Sequence, residues 1–202
     1  MYIGKLVNSS SHIEYLCQIY NPGETEWTPD PVDYGFGTFV GIERSQDAQA
    51  SGSYLVGVIY NTTLLNPEFG TLGPRLSPEE ELAIFSPDYL HEKVTLVAIF
   101  VLGEMDAQGR ASQGVPAVAA TIDARVRRLS DEEVVAFHRY PQGSGPLRLA
   151  YLPSLATMNN PLAPHLALAI LSRLRSLFPR EAPYLAVLEN NLAWKSRVEP
   201  VG

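Results

Sequence analysis

At 202 residues, with 46% apolar and 18% charged residues, the chain has the length and composition of one globular domain, or one domain with an appendage, and not of a disordered segment. The formal charge of −7 is uneven: residues 1–133 hold 8 Lys+Arg against 19 Asp+Glu, a balance of −11, and residues 134–202 hold 7 against 3, a balance of +4. An acidic body argues against a broad nucleic-acid surface, the lone Cys17 excludes an internal disulfide and a cysteine zinc cage, and the apolar runs near 94–102 and 166–171 are too short for a membrane span.

The first segment, "YIGKLVN" (2–8), and the next, "HIEYLCQIY" (12–20), are short and rich in Ile, Val, Leu and Tyr around a serine turn, which predicts a β-hairpin. In the second, Ile13, Tyr15, Cys17 and Ile19 share one face, so Cys17 reads as a buried, inert thiol. "MYIGKLV" is too short for a signal peptide, and the expected location is cytoplasmic. "NPGETEWTPDPVD" (21–33) is a proline-rich loop.

"YGFGTFVGI" (34–42) has the glycine density of a phosphate loop, with Gly35, Gly37 and Gly41. Such a loop needs a strand before it and a helix after it. Here a proline loop precedes, and Thr-Phe-Val-Gly-Ile-Glu follows with strand alternation. The glycines therefore fit a strand start and a tight corner.

"YLVGVIYNT" (54–62) is the returning strand, and 64–92 reads as an insertion. Within it "SPEEELAIF" (77–85) carries helix-start chemistry, with Ser77 as cap, Pro78 at the first helical position and Glu80 closing a capping box. "VTLVAIFVLG" (94–103) is apolar throughout, as a strand covered on both faces would be. "VPAVAATIDARVRRL" (115–129) reads as mostly extended, with Val118, Ala120, Ile122, Ala124 and Val126 on one side. Ser130 and Glu133 form a capping box for a helix over 131–139, and "LRLAYLP" (147–153) reads as a last strand. The stripe Leu166, Ile170, Leu174, Leu177 predicts an amphipathic helix over 159–179, and 182–196 reads as a second helix, antiparallel to it.

These elements give an α+β expectation: a small, mostly antiparallel β-barrel over residues 1–130 with a short helical insertion at about 64–92, then a C-terminal helical region over 131–202 packed on or beside it. The order of "IGKLVNSSSHIEYLCQI", "YGFGTFVGIE", "LVGVIYNT", "VTLVAIFVLG" and "VPAVAATIDARVRRLSDEEV" resembles the HAS-barrel family over about residues 1–135. That barrel precedes the motor domain of HerA-type DNA-translocating ATPases and occurs in rotary ATP synthase subunits. The resemblance implies an assembly role and no catalytic residue in the barrel. The family's P-loop motor is missing here, since no Gly-x-x-x-x-Gly-Lys-Ser/Thr occurs, so no ATPase role carries over.

His12, His91, His138 and His165 lack ligand spacing, and His138 is expected to serve the dipole at its helix end. In "RVRRL" (125–129) Arg125 and Arg127 face one way and Arg128 the other, which suits a solvated edge paired with the acids of 131–133 better than a phosphate site. No residue is assigned to catalysis, cofactor or metal, and no small-molecule substrate is evident. The expected function is a non-enzymatic protein-interaction or assembly module, with itself or a separately encoded ATPase as partner. The interface is expected on the helical pair, at Leu168, Leu171, Arg175 and Trp194. The alternatives are a nucleic-acid-associated factor, with Tyr34, Phe36 and Phe39 as its aromatics, and an enzyme whose site sequence order does not reveal.

Overall fold

The computed structural model describes residues 1–44, 52–66, 93–140 and 147–198, with side chains to residue 193. Seven strands form one sheet: β1 (Tyr2–Ser9), β2 (Glu14–Ile19), β3 (Phe39–Glu43), β4 (Tyr54–Leu65), β5 (Val94–Met105), β6 (Ala111–Gln113) and β7 (Arg125–Arg128). Their order is β2-β1-β7-β3-β4-β5-β6, and β2 also pairs with β5, which closes six strands into a barrel and leaves β6 as an extra strand beside the end of β5. Every pairing is antiparallel. The fold is the α+β barrel with C-terminal helices that the sequence predicts. The capping box at Ser77 and most of the expected insertion lie outside the described residues.

Closure of so few strands needs sharp bending, and the irregularities supply it. Register shifts fall between Leu6 and Asn8, between Val56 and Gly57, and between Ile59 and Asn61. Glycine is required where backbones crowd. A Cβ on Gly4 would stand 2.1 Å from the Gln18 carbonyl oxygen. At the corner read from "YGFGTFVGI", Gly37 takes φ +82° and its N–H donates to Ile59 O at 2.8 Å, setting the chain on course for β3. Strand β3 follows directly, with no helix.

The strand period places Ile3, Tyr15, Cys17, Ile19, Val40, Ile42, Ile59, Val97, Ile99 and Val126 inside the barrel as one core. Cys17 is fully buried there, and burial pushes its thiol well above the usual range. The alternate residues of β3, β4 and β5, among them Phe39, Val58, Phe100 and Leu102, form a second core on the barrel's outer surface. The helices supply its other half: α1 (Asp131–His138), α2 (Leu152–Ala156), α3 (Ala163–Leu177) and α4 (Ala182–Val198). Leu166, Ile170 and Leu174 of the predicted stripe are fully buried against it. Thus β5 is apolar on both faces because both faces are covered.

Two expected strands differ. Residues 115–124 are not extended on one face: Val118 and Ile122 are each 60% exposed, while Val126 is buried. Asp123 has φ +63° and its N–H donates to Leu6 O, so a left-handed turn breaks the period just before β7. "LRLA" is not a last strand either. The side-chain amide of Gln113 takes the role of a ladder, with Nε2 donating to Phe137 O and Arg148 O and Oε1 accepting from Ala150 N.

The glycine geometry gives a graded expectation for alanine substitutions. Gly4→Ala collides with backbone and lowers stability by about 2–3 kcal/mol. Gly35→Ala, whose Cβ meets nothing closer than 3.7 Å, stays within about 0.5 kcal/mol of the parent. Urea unfolding of the two variants checks the order, and equal losses would refute the packing assignment.

Candidate functional site

A cluster of ion pairs lies on β7 and its neighbours. Arg125 pairs with Glu43 at 3.0 Å and lies over the Tyr2 ring, whose hydroxyl also donates to Glu43. Arg127 makes a two-pronged pair with Glu133 at 2.7 and 2.9 Å and lies over the Tyr54 ring. These bonds hold the Glu133 carboxyl below its usual range, and burial together with Glu133 raises the Tyr54 phenol. Arg128 turns the other way and pairs with Asp33 at 2.9 Å. The predicted split of the three arginines is present, but of the expected pairings with the 131–133 acids only Arg127 with Glu133 forms; Arg125 and Arg128 find distant partners instead. Each guanidinium is already committed to a carboxylate.

Beside this array a cleft of about 280 Å³ opens between the start of β3, the end of β7 and the helices α1 and α3. Phe39, Val134 and Ala169 line its apolar side, and Phe36, Arg128 and Arg173 its rim. Arg173 is bridged to Asp131. The nearby Ser130 hydroxyl caps α1 by accepting from Glu133 N, and the Glu133 carboxylate accepts from Ser130 N. The cleft therefore offers guanidinium–carboxylate pairs and apolar carbons. It sets no nucleophile beside a base. Among the described residues every buried side-chain nitrogen or oxygen has a partner.

A second polar feature is sealed. His138 is fully buried, with Nδ1 2.7 Å from Val134 O and Nε2 2.9 Å from the Tyr151 hydroxyl. A carbonyl only accepts, so Nδ1 carries the proton and Nε2 accepts from Tyr151. Phe39, Phe137 and Phe178 surround the ring. The expectation that His138 serves the helix dipole as a cation is corrected: burial lowers its pKa from 6.5 to about 4, so it is neutral. It joins α1 to α2 across the outer core.

The described residues of the expected interface differ in exposure. Leu171 is fully buried in the outer core, because α3 turns more than its narrow stripe inward, and it is unavailable to a partner. Leu168 is half-buried. Arg175 is bridged to Glu189 of α4 at 2.7 Å and so ties the two helices together. The Trp194 side chain lies outside the described residues. The proposed aromatics do not form a stacking platform: Phe39 is buried under the helices, Tyr34 is half-buried, and Phe36 is 46% exposed. The sequence reading missed the exposed apolar side chains on loops, Val115, Val118 and Ile122 on one and Trp27 and Val32 on another. Pro116, within the first set, and Asp123, just after it, are the signal against a strand there.

The architecture defines a closed six-stranded antiparallel barrel carrying its own helical cover. The chain belongs to the family described as "Domain of unknown function (DUF8166)", which matches residues 1–201. No curated protein matches it.

Two expectations follow. Between pH 6.5 and 4 the unfolded chain takes up a proton that neutral, buried His138 refuses. The stability this confers is present above pH 6.5 and falls with acidification by about 3 kcal/mol. Urea midpoints measured across that window fall in the parent, and His138→Gln flattens the slope; an unchanged slope would contradict the assignment. Leu171→Glu places a carboxylate in the core and costs at least about 3 kcal/mol, whereas Arg175→Ala stays within about 1 kcal/mol. Thermal melts distinguish the two.

Proposed function

We propose that the protein is a non-enzymatic interaction and assembly module that works through a protein partner. The observation that carries this reading is the contrast between its two kinds of apolar surface. The outer wall of β3–β5 is covered by the chain's own helices. The segment 115–122 presents Val115, Val118 and Ile122, each at least 60% exposed, on a backbone held firmly in place. His12 Nε2 donates to Pro116 O at 2.8 Å, Arg44 donates to Val118 O at 3.0 Å, and Ala120 N donates to the Tyr15 hydroxyl at 3.0 Å. Ordered, exposed side chains of this kind suit contact with another protein, because a fixed backbone leaves less entropy to lose on binding.

The HAS-barrel resemblance extends the reading to a separately encoded DNA-translocating ATPase as the partner. The nucleic-acid alternative is weakened by the commitment of Arg125, Arg127 and Arg128 to Glu43, Glu133 and Asp33, since phosphate binding would have to break each pair. A cytoplasmic location belongs to the same reading; among the described residues no helix is long and apolar enough to cross a membrane.

The test is native purification of the full chain followed by light scattering and identification of co-purifying proteins. The expected result is an assembly, with itself or with another protein, that Val118→Glu plus Ile122→Glu weakens while the circular dichroism spectrum stays unchanged. A monomer with no companion at any stage would overturn the reading.

A further inference from the structure

The loop between β2 and β3 carries a second exposed surface of different chemistry. Trp27 is 60% exposed and Val32 73%, and Phe36 at the loop's end is 46% exposed. Acids surround them in sequence: Glu24, Glu26 and Asp30 are exposed, and the chain holds no Lys or Arg from residue 6 to residue 43. The loop is built rather than slack. Asn21 N donates to Glu24 at 2.6 Å, and the Thr25 hydroxyl donates to Trp27 O at 2.7 Å. Asp30 N donates to Asp33 at 3.1 Å, and Arg128 clamps Asp33 from β7. Pro29 is buried, and Pro31 starts a single 3-10 turn, Pro31–Tyr34.

A large aromatic side chain held out in water costs free energy that burial by a partner would recover, and Trp is the residue type most concentrated at binding hot spots. The exposed carboxylates beside it in sequence favour a basic partner, and Arg128, the guanidinium that reaches the loop from β7, is taken up by Asp33. A basic segment gains attraction at Glu24, Glu26 and Asp30, and an acidic or nucleic-acid ligand meets repulsion there. We propose that the 24–36 loop is the docking site for a basic, amphipathic protein segment, with its apolar side chains on Trp27 and Val32 and its Lys or Arg on the three carboxylates. This rests on the reading of the protein as an interaction module and names the chemistry of its partner.

The experiment uses the full chain with Trp194→Phe, so that emission comes from Trp27 alone. The probes are an 18-residue peptide of Lys and Leu at helical spacing and its counterpart with Glu for Lys. The Lys peptide is expected to shift Trp27 emission to the blue and to bind more weakly as salt rises. By calorimetry, Trp27→Ala weakens binding at least about tenfold, and Glu24→Lys plus Glu26→Lys does the same, with thermal melts unchanged in both. The Glu peptide does not bind. Equal affinity of the parent and Trp27→Ala, or no binding of the Lys peptide, overturns the docking site. So does a concentration-dependent mass in light scattering that Trp27→Ala abolishes, because the loop would then serve a second copy. The two readings separate in native purification. A companion protein lost on Val118→Glu plus Ile122→Glu but kept on Trp27→Ala leaves the interaction module standing and removes this loop from it.

Discussion

The fold depends on one constraint: the wall formed by β3, β4 and β5 must be buried on both faces at once. Inside lies the barrel core with Ile42, Ile59 and Ile99, and outside lies the helical core with Phe39, Val58 and Phe100. A strand with a wet outer face would alternate apolar and polar residues, and β5 does not. The helices are therefore no appendage. Without them Phe39, Val58, Phe100 and Leu102 would stand in water, at a cost of about 1.5–3 kcal/mol for each large side chain that is fully buried. The buried contact of His138 with Tyr151 sits in this outer core. It adds a directional bond to a surface otherwise held by non-directional burial, and so favours one seating of α1 over sliding alternatives.

The barrel strands, the capping box at Ser130 and the stripe of α3 were legible in the sequence because each rests on a local rule: period two, a cap three residues from its partner, or period three to four. The misread segments are those where a distant side chain replaced a local rule. "VPAVAATID" has strand-like composition, yet His12, Tyr15 and Arg44 hold its backbone at a spacing no ladder would choose. "LRLA" has strand-like alternation, yet Gln113 captures its backbone groups. Neither tie is visible without the tertiary structure. His138 fails for a related reason. A helix-end histidine is expected to be charged in the open, but no feature of "DEEVVAFHR" reveals that the outer core closes over it.

The site residues show the same division. Arg127 with Glu133 could be anticipated because they are six apart across a strand-to-helix turn. Arg128 with Asp33 and Arg125 with Glu43 could not, because their partners stand 95 and 82 residues away in sequence. The error at Leu171 is instructive in the other direction. A narrow stripe suffices when a helix lies on one neighbour. Here α3 faces the barrel and α4 together, so a wider arc goes inward and the apparent surplus of leucines is absorbed.

What remains on the surface follows from this accounting. Ion pairs such as Arg125–Glu43 and Arg173–Asp131 are exposed and contribute little to stability. Each pair takes up one guanidinium and one carboxylate, so the acidic excess of residues 1–133 is left unchanged. The apolar side chains that the fold does not absorb sit on backbones fixed by side-chain partners, Tyr15 and Arg44 under one loop and Arg128 with Asp33 under the other. Loops with no role usually shed such side chains or keep their backbone free to collapse over them. Fixing the backbone prevents that collapse, so Val118, Ile122 and Trp27 stay exposed at a standing cost in hydration. Removing one of the fixing side chains would let the loop fold back over its own apolar residues. The chain would then lose the surface that we propose it presents to a partner.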